Sequence, residues 1–98
     1  MRNPPKPINA CRTVADLLAD PGRWGKQTPW KRDIRKAKPL LFDVMDAIEF
    51  IYVYDSDQAI ARRALRIAAG IKGTLTKWND APERTHKEVL DAVKKAGI

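Results

Sequence analysis

Apolar residues recur at helical spacing in four stretches of this chain, and the stretches between them are rich in proline, glycine and charge. Cys11, Val14, Ala15 and Leu18 fall on one face of a first helix, with Asn9 as its N-cap and an end near Ala19. Asp20-Pro21-Gly22 stops it. A second helix is expected from Pro39, which sits in its first turn where the missing N–H costs nothing. Leu41, Val44, Met45, Ile48, Ile51 and Tyr52 form its buried stripe, with Asp43, Asp46 and Glu49 off it. The run Phe50-Ile51-Tyr52-Val53-Tyr54 has strand propensity, which the longer helical pattern outvotes.

Asp55-Ser56-Asp57 supplies a turn and a cap for a third helix, from Gln58 to about Ala69. Its expected inward residues are Ile60, Ala64, Ile67 and Ala68; Arg62, Arg63 and Arg66 face outward, and Gly70 and Gly73 end it. The clearest start signal belongs to the last helix. Thr85-His86-Lys87-Glu88 is a capping box, in which a hydroxyl and a carboxylate each accept from a backbone N–H that the helix leaves unpaired. Val89, Leu90, Val93 and Ala96 give this helix its apolar face and Gly97 its exit. The pattern predicts an all-α fold: a compact bundle of about four short helices, with a long basic loop between the first two. Residues 1–8, with Pro4, Pro5 and Pro7, read as a flexible tail, and 9–98 as a single helical domain.

Composition agrees with that reading and narrows the class of protein. At 98 residues, 44% hydrophobic and 32% charged, the chain has the length of one domain and the balance of a globular protein. The longest strictly apolar run is Phe50 to Tyr54, far short of the ~20 residues a membrane-crossing helix needs. The prolines near the N-terminus interrupt the apolar stretch that a secretory signal requires. Residence in the cytoplasm and no membrane partner are therefore expected. Cys11 is the single cysteine, so no disulfide can form within the chain.

Catalytic constellations each lack a part. One His and one Cys, with neither H-E-x-x-H nor C-x-x-C, make no metal site. Cys11 lies on the apolar stripe of a short helix, where a free cysteine usually packs as a small hydrophobe. Ser56 reads as a cap. His86 has the intrinsic pKa of a general base but the position of an exposed first-turn residue. No phosphate-binding glycine loop occurs. The expectation is a protein that is not an enzyme and carries no cofactor.

Charge says more. The net charge is +7, and between Arg23 and Lys38 stand Arg23, Lys26, Lys31, Arg32, Arg35, Lys36 and Lys38 against Asp33 alone. Residues 39–61 contain Asp43, Asp46, Glu49, Asp55 and Asp57 with no Lys or Arg. A basic stretch of this kind attracts anionic partners. Trp24 and Trp30 are interleaved with its cations, an arrangement suited to stacking unpaired bases or a nucleotide. The competing interpretation is a solvated basic loop pinned to the core by two tryptophans.

Leu17-Leu18-Ala19-Asp20-Pro21-Gly22-Arg23-Trp24, followed by Gln27 and Lys31-Arg32-Asp33, resembles the opening of a family of small actinobacterial and phage proteins grouped as domain of unknown function 6197. The resemblance resumes at Ala61-Arg62-Arg63-Ala64-Leu65-Arg66. It is most specific at Trp78-Asn79-Asp80-Ala81-Pro82-Glu83-Arg84-Thr85, running into Glu88-Val89-Leu90. The middle departs, with Leu40-Leu41-Phe42-Asp43-Val44 where such proteins tend to show a Cys-Leu-Gly-Ala-like stretch. The resemblance implies a phage or bacterial accessory protein and supplies no activity.

The Trp78 stretch also has a physical reading. Trp78 can plug the core, Asn79 and Asp80 can bond the local backbone, and Pro82 stiffens the approach to the cap at Thr85. Its alternative is a ligand pocket in which Trp78 stacks and Arg84 pairs with an anion. Two functions are carried forward. The first is a non-catalytic binder of nucleic acid or a nucleotide, using the Arg23–Lys38 segment and Arg62, Arg63 and Arg66. The second is an adaptor or inhibitor that docks on a host protein, such as a phage anti-defence factor.

Overall fold

The computed structural model describes residues 6–26 and 41–98, among which five α-helices and two single 3₁₀ turns pack around one core. The α-helices are α1 (Val14–Leu18), α2 (Val44–Ile51), α3 (Asp55–Ala69), α4 (Leu75–Asp80) and α5 (His86–Ala96). The all-α bundle expected from the sequence is what forms, with one more short helix than its periodicity showed. Helix α4 carries the Trp78 stretch; six residues are too few to display a hydrophobic repeat.

Side chains fix most helix starts. Thr13 caps α1 by accepting from Asp16 N at 3.0 Å, so the cap is not Asn9, which belongs to the 3₁₀ turn Ile8–Ala10. Asp43 caps α2 by accepting from Asp46 N at 2.7 Å. That helix begins five residues beyond Pro39, and Asp43, expected off the buried stripe, is itself buried. Thr74 caps α4, and Thr85 and Glu88 form the full capping box of α5. Helix α3 starts at Asp55 with no side-chain cap; its acids Asp55 and Asp57 lie in the first turn, near the positive end of the helix dipole. Gly70 and Gly97 close α3 and α5 with φ of 64° and 74°, a backbone region that favours glycine.

The core is built from Val14, Leu17, Leu18, Phe42, Val44, Ile48, Leu65, Leu75, Val89 and Val93, all fully buried. Phe42 and Phe50 meet with ring centroids 5.3 Å apart. Helix α3 turns Ala61 and Leu65 inward, while Ile60 and Ile67, expected to face the core, are 67% and 71% exposed. The two ends of the bundle are sewn together at Ile98. Its carbonyl oxygen accepts from Val14 N at 2.6 Å, at the start of α1, and from the Tyr52 hydroxyl at 3.0 Å, at the end of α2. Part of the predicted tail is tied down as well. Lys6 pairs with Asp16 at 3.2 Å, Ile8 packs on the core, and the Cys11 thiol donates to Pro7 O at 3.4 Å.

Candidate functional site

The two stretches on either side of residues 27–40 are held against each other, forming a closed neck. Asp20 accepts from Gly22 N at 2.9 Å and tightens the turn Pro21–Arg23. The chain then runs extended through Trp24 and Gly25 beside Phe42: Phe42 N donates to Arg23 O at 2.6 Å, and Gly25 N donates to Phe42 O at 3.1 Å. A side chain at Gly25 would bring its Cβ to 3.1 Å from the Leu41 Cβ, so glycine lets the two arms approach.

Asn79, fully buried on α4, locks both arms. Its Oδ1 accepts from Trp24 Nε1 at 2.7 Å and from Val44 N at 3.2 Å. Its Nδ2 donates to Gly25 O at 3.0 Å and to Asp80 Oδ1 at 2.9 Å. Two lone pairs and two hydrogens are the whole capacity of an amide side chain, and all four are used. Bonding by Asn79 was expected to be local; it reaches instead across 54 residues to Gly25 and 35 to Val44. Nothing in the local sequence could have named those partners.

Around this lock, residues with the chemistry of a binding site are engaged within the protein. Trp24 packs its ring against His86, centroids 6.2 Å apart. The Lys26 ammonium lies 5.7 Å from the Trp24 ring and donates to Ala81 O at 2.7 Å and Pro82 O at 3.1 Å. Arg23 reaches Asp20 at 3.8 Å and the Cys11 sulfur at 3.8 Å. His86 is half-buried rather than exposed, and Nε2 donates to Leu18 O at 2.6 Å, since a carbonyl can only accept. Cys11 is buried in the core, as its position on the apolar stripe suggested.

The second candidate pocket is occupied in a similar way. The Arg84 guanidinium stacks 4.6 Å from the Trp78 ring centroid, donates through Nε to Trp78 O at 2.9 Å and pairs with Glu88 at 3.0 Å. Glu88 also accepts from the Thr85 backbone and hydroxyl. Partial desolvation pushes its pKa up, but these bonds and Arg84 together hold it below the usual carboxylate value. The shallow hollow of about 330 Å³ beside Trp78 and Arg84 also holds Glu88, Asp91 and Lys95 at its rim, so an entering anion would have to compete with Glu88 for Arg84.

Of the sequence-predicted site residues, Trp30, Lys31, Arg32, Arg35 and Lys36 lie outside the described residues. Arg23, Trp24 and Lys26 gather at the neck, and Trp78 on α4 meets Arg84 just before α5. Arg62, Arg63 and Arg66 stand on α3, Arg62 half-buried and the other two exposed. Among the described residues no cluster of His, Cys, Asp and Glu could hold a metal ion, and no helix is long and apolar enough to cross a membrane.

The model of a family described as a family of unknown function, DUF6197, matches residues 2–97, and the chain belongs to that family. No curated protein and no solved structure matches the chain.

Proposed function

We propose that this family member is a non-catalytic binding protein, of phage or bacterial origin and acting in the cytoplasm, that takes an anionic ligand on residues 27–40. Nucleic acid is the leading ligand and a nucleotide the smaller version of it. The observation that carries the reading is the neck. A bridge and a fully bonded asparagine hold Trp24–Lys26 beside Phe42–Val44, and the fourteen residues between the arms include Lys31, Arg32, Arg35, Lys36 and Lys38 against Asp33. A net +4 in so short a stretch, delivered from a rigid platform, suits contacts to phosphate groups.

Within this reading the sequence-predicted site residues divide into supports and contacts. Trp24, Lys26, Arg23, Trp78 and Arg84 support the platform. Trp30 is the tryptophan left for stacking, and Lys31, Arg32, Arg35 and Lys36 are the phosphate contacts. A second reading, docking on a host protein as an adaptor or an anti-defence factor would, draws on a different observation: Val53, Tyr54, Ile60 and Ile67 are large apolar residues left exposed.

Replacing Lys31, Arg32, Arg35 and Lys36 by Ala tests the first reading. Binding to single-stranded or duplex nucleic acid should weaken, and the slope of log affinity against log salt should flatten by roughly 3 to 4 on duplex DNA, about 0.9 per phosphate released. Trp30→Ala should cost ~1–3 kcal/mol of binding with the fold intact. A wild-type protein without affinity for nucleic acid or nucleotide at low salt would overturn the reading and leave the docking protein in its place.

A further inference from the structure

We infer that the hollow between the start of α3 and the end of α5 is a binding site for a primary ammonium group carried on a short aliphatic chain. The hollow measures about 380 Å³, a volume in the range of small-molecule pockets. Asp57, Ile60, Ala61 and Ala64 line it from α3; their spacing of three, four and seven residues puts them on one face of that helix. Ala96 lines it from α5, so most of its wall is apolar. Asp57 is the one charged side chain in that wall, and among the described residues no cation pairs with its carboxylate.

What the hollow can bond follows from which groups are already used. The Tyr52 hydroxyl donates its one hydrogen to Ile98 O at 3.0 Å, so toward a ligand its oxygen can only accept. Burial, with the Asp57 charge adding to it, pushes that hydroxyl above its usual pKa and keeps the hydrogen in place. Gly97 N and Ile98 N, in the same wall, donate to carbonyls of α5. No side-chain donor is left free there, whereas the Asp57 carboxylate and the Tyr52 oxygen both accept. An anion would meet a carboxylate and no donor. A bare metal ion would find one carboxylate where it needs several oxygen ligands. A primary ammonium brings three donors and the opposite charge, and the chain behind it covers the alanines. Charge nearby divides in the same sense: residues 39–61 contain no Lys or Arg, and Lys95 borders the adjoining hollow rather than this one.

The inference stands apart from the proposed ligand, because residues 27–40 take no part in it. Titrating the full chain with pentylammonium at low ionic strength should shift the NMR methyl signals of Ile60, Ala61, Ala64 and Ala96 in a saturable way. Pentanol, its neutral counterpart, should bind at least about tenfold more weakly, because the charge-assisted bonds to Asp57 are lost. That comparison needs no variant. Asp57→Asn should weaken pentylammonium by a similar factor while the circular dichroism spectrum stays that of the wild type, and Asp55→Asn, on the same turn but outside the hollow, should leave the affinity unchanged. The same titration with N-acetyl-lysine methylamide separates two sources of the group: tighter binding than pentylammonium assigns the site to a lysine side chain, weaker binding to a free amine. No saturable shift of these methyl groups overturns the inference, as does affinity indifferent to Asp57→Asn or pentanol binding as tightly as pentylammonium. If pentylammonium binds as described and nucleic acid does not, only the nucleic-acid reading falls.

Discussion

The neck and the outer face of α3 invert each other. At the neck and beside Trp78, tryptophan, arginine, lysine and asparagine, residues whose chemistry suggests a ligand, bond to the protein's own side chains and backbone. On α3, two isoleucines, residues whose chemistry suggests a core, stand in solvent. Residue type alone therefore misassigns both regions. What separates support from contact is whether a side chain's bonding capacity is already used, and that depends on partners tens of residues away. A buried polar group must be fully partnered because leaving it bare costs more than the bond contributes; an exposed apolar group has no such requirement.

The comparison breaks most directly at Asn79. Asn79→Ala should destabilise the protein by about 3–5 kcal/mol in urea denaturation, because Trp24 Nε1, Val44 N and Gly25 O lose their partner together. A loss under ~1 kcal/mol would mean that the neck is not locked. Trp24→Phe keeps most of the ring and removes the indole N–H, so ~1–3 kcal/mol is expected. Combined with Asn79→Ala it should cost less than the sum of the two, since both remove one bond.

At the start of α5, Thr85→Ala should cost about 0.5–2 kcal/mol in thermal unfolding. The partner in that box gives a pH signature. Glu88 is held below its usual value by Thr85 and Arg84 against the opposing effect of desolvation. Its stabilising contribution is thus complete above the unfolded-state pKa and disappears as pH falls through the lower folded value. Glu88→Gln should make the decline of stability in acid shallower, and an unchanged acid limb would contradict the pairing. The smallest effect belongs to the outer face. Ile67→Ser should move stability by no more than about 0.5 kcal/mol in thermal unfolding. A loss of several kcal/mol would place Ile67 in the core after all.

How far the sequence reached follows the range of the interactions. The box at Thr85 and Glu88, and the glycines at 70 and 97, were readable because cap and helix are neighbours in sequence. The phase of α3 was not. Two apolar stripes run along it, the expected one of Ile60, Ala64, Ile67 and Ala68 and another of Ala61 and Leu65. The bundle buries the other, placing Leu65 in the core and Ala61 where a small side chain suffices. Thr13 displaced Asn9 as a cap, and Asp43 set the start of α2 in place of Pro39, because each accepts from a backbone N–H three residues on. At the candidate site, the tryptophans and arginines were found as a set, but their roles as supports depended on Asn79 and on carbonyls at Leu18, Ala81 and Pro82.

The closure of the bundle at Ile98 bears on how quickly the chain can reach this structure. Helical proteins usually fold fast because their contacts join residues close in sequence. Here the ties are long: 46 residues separate Tyr52 from Ile98, 55 separate Trp24 from Asn79, and 68 separate Leu18 from His86. Val14 at the start of α1 waits for the residue just past α5. Each of these closures loses loop entropy before any burial rewards it. The barrier should therefore resemble that of a mixed or β-rich domain, and refolding after a denaturant jump should be slower than for an up-and-down bundle of the same length.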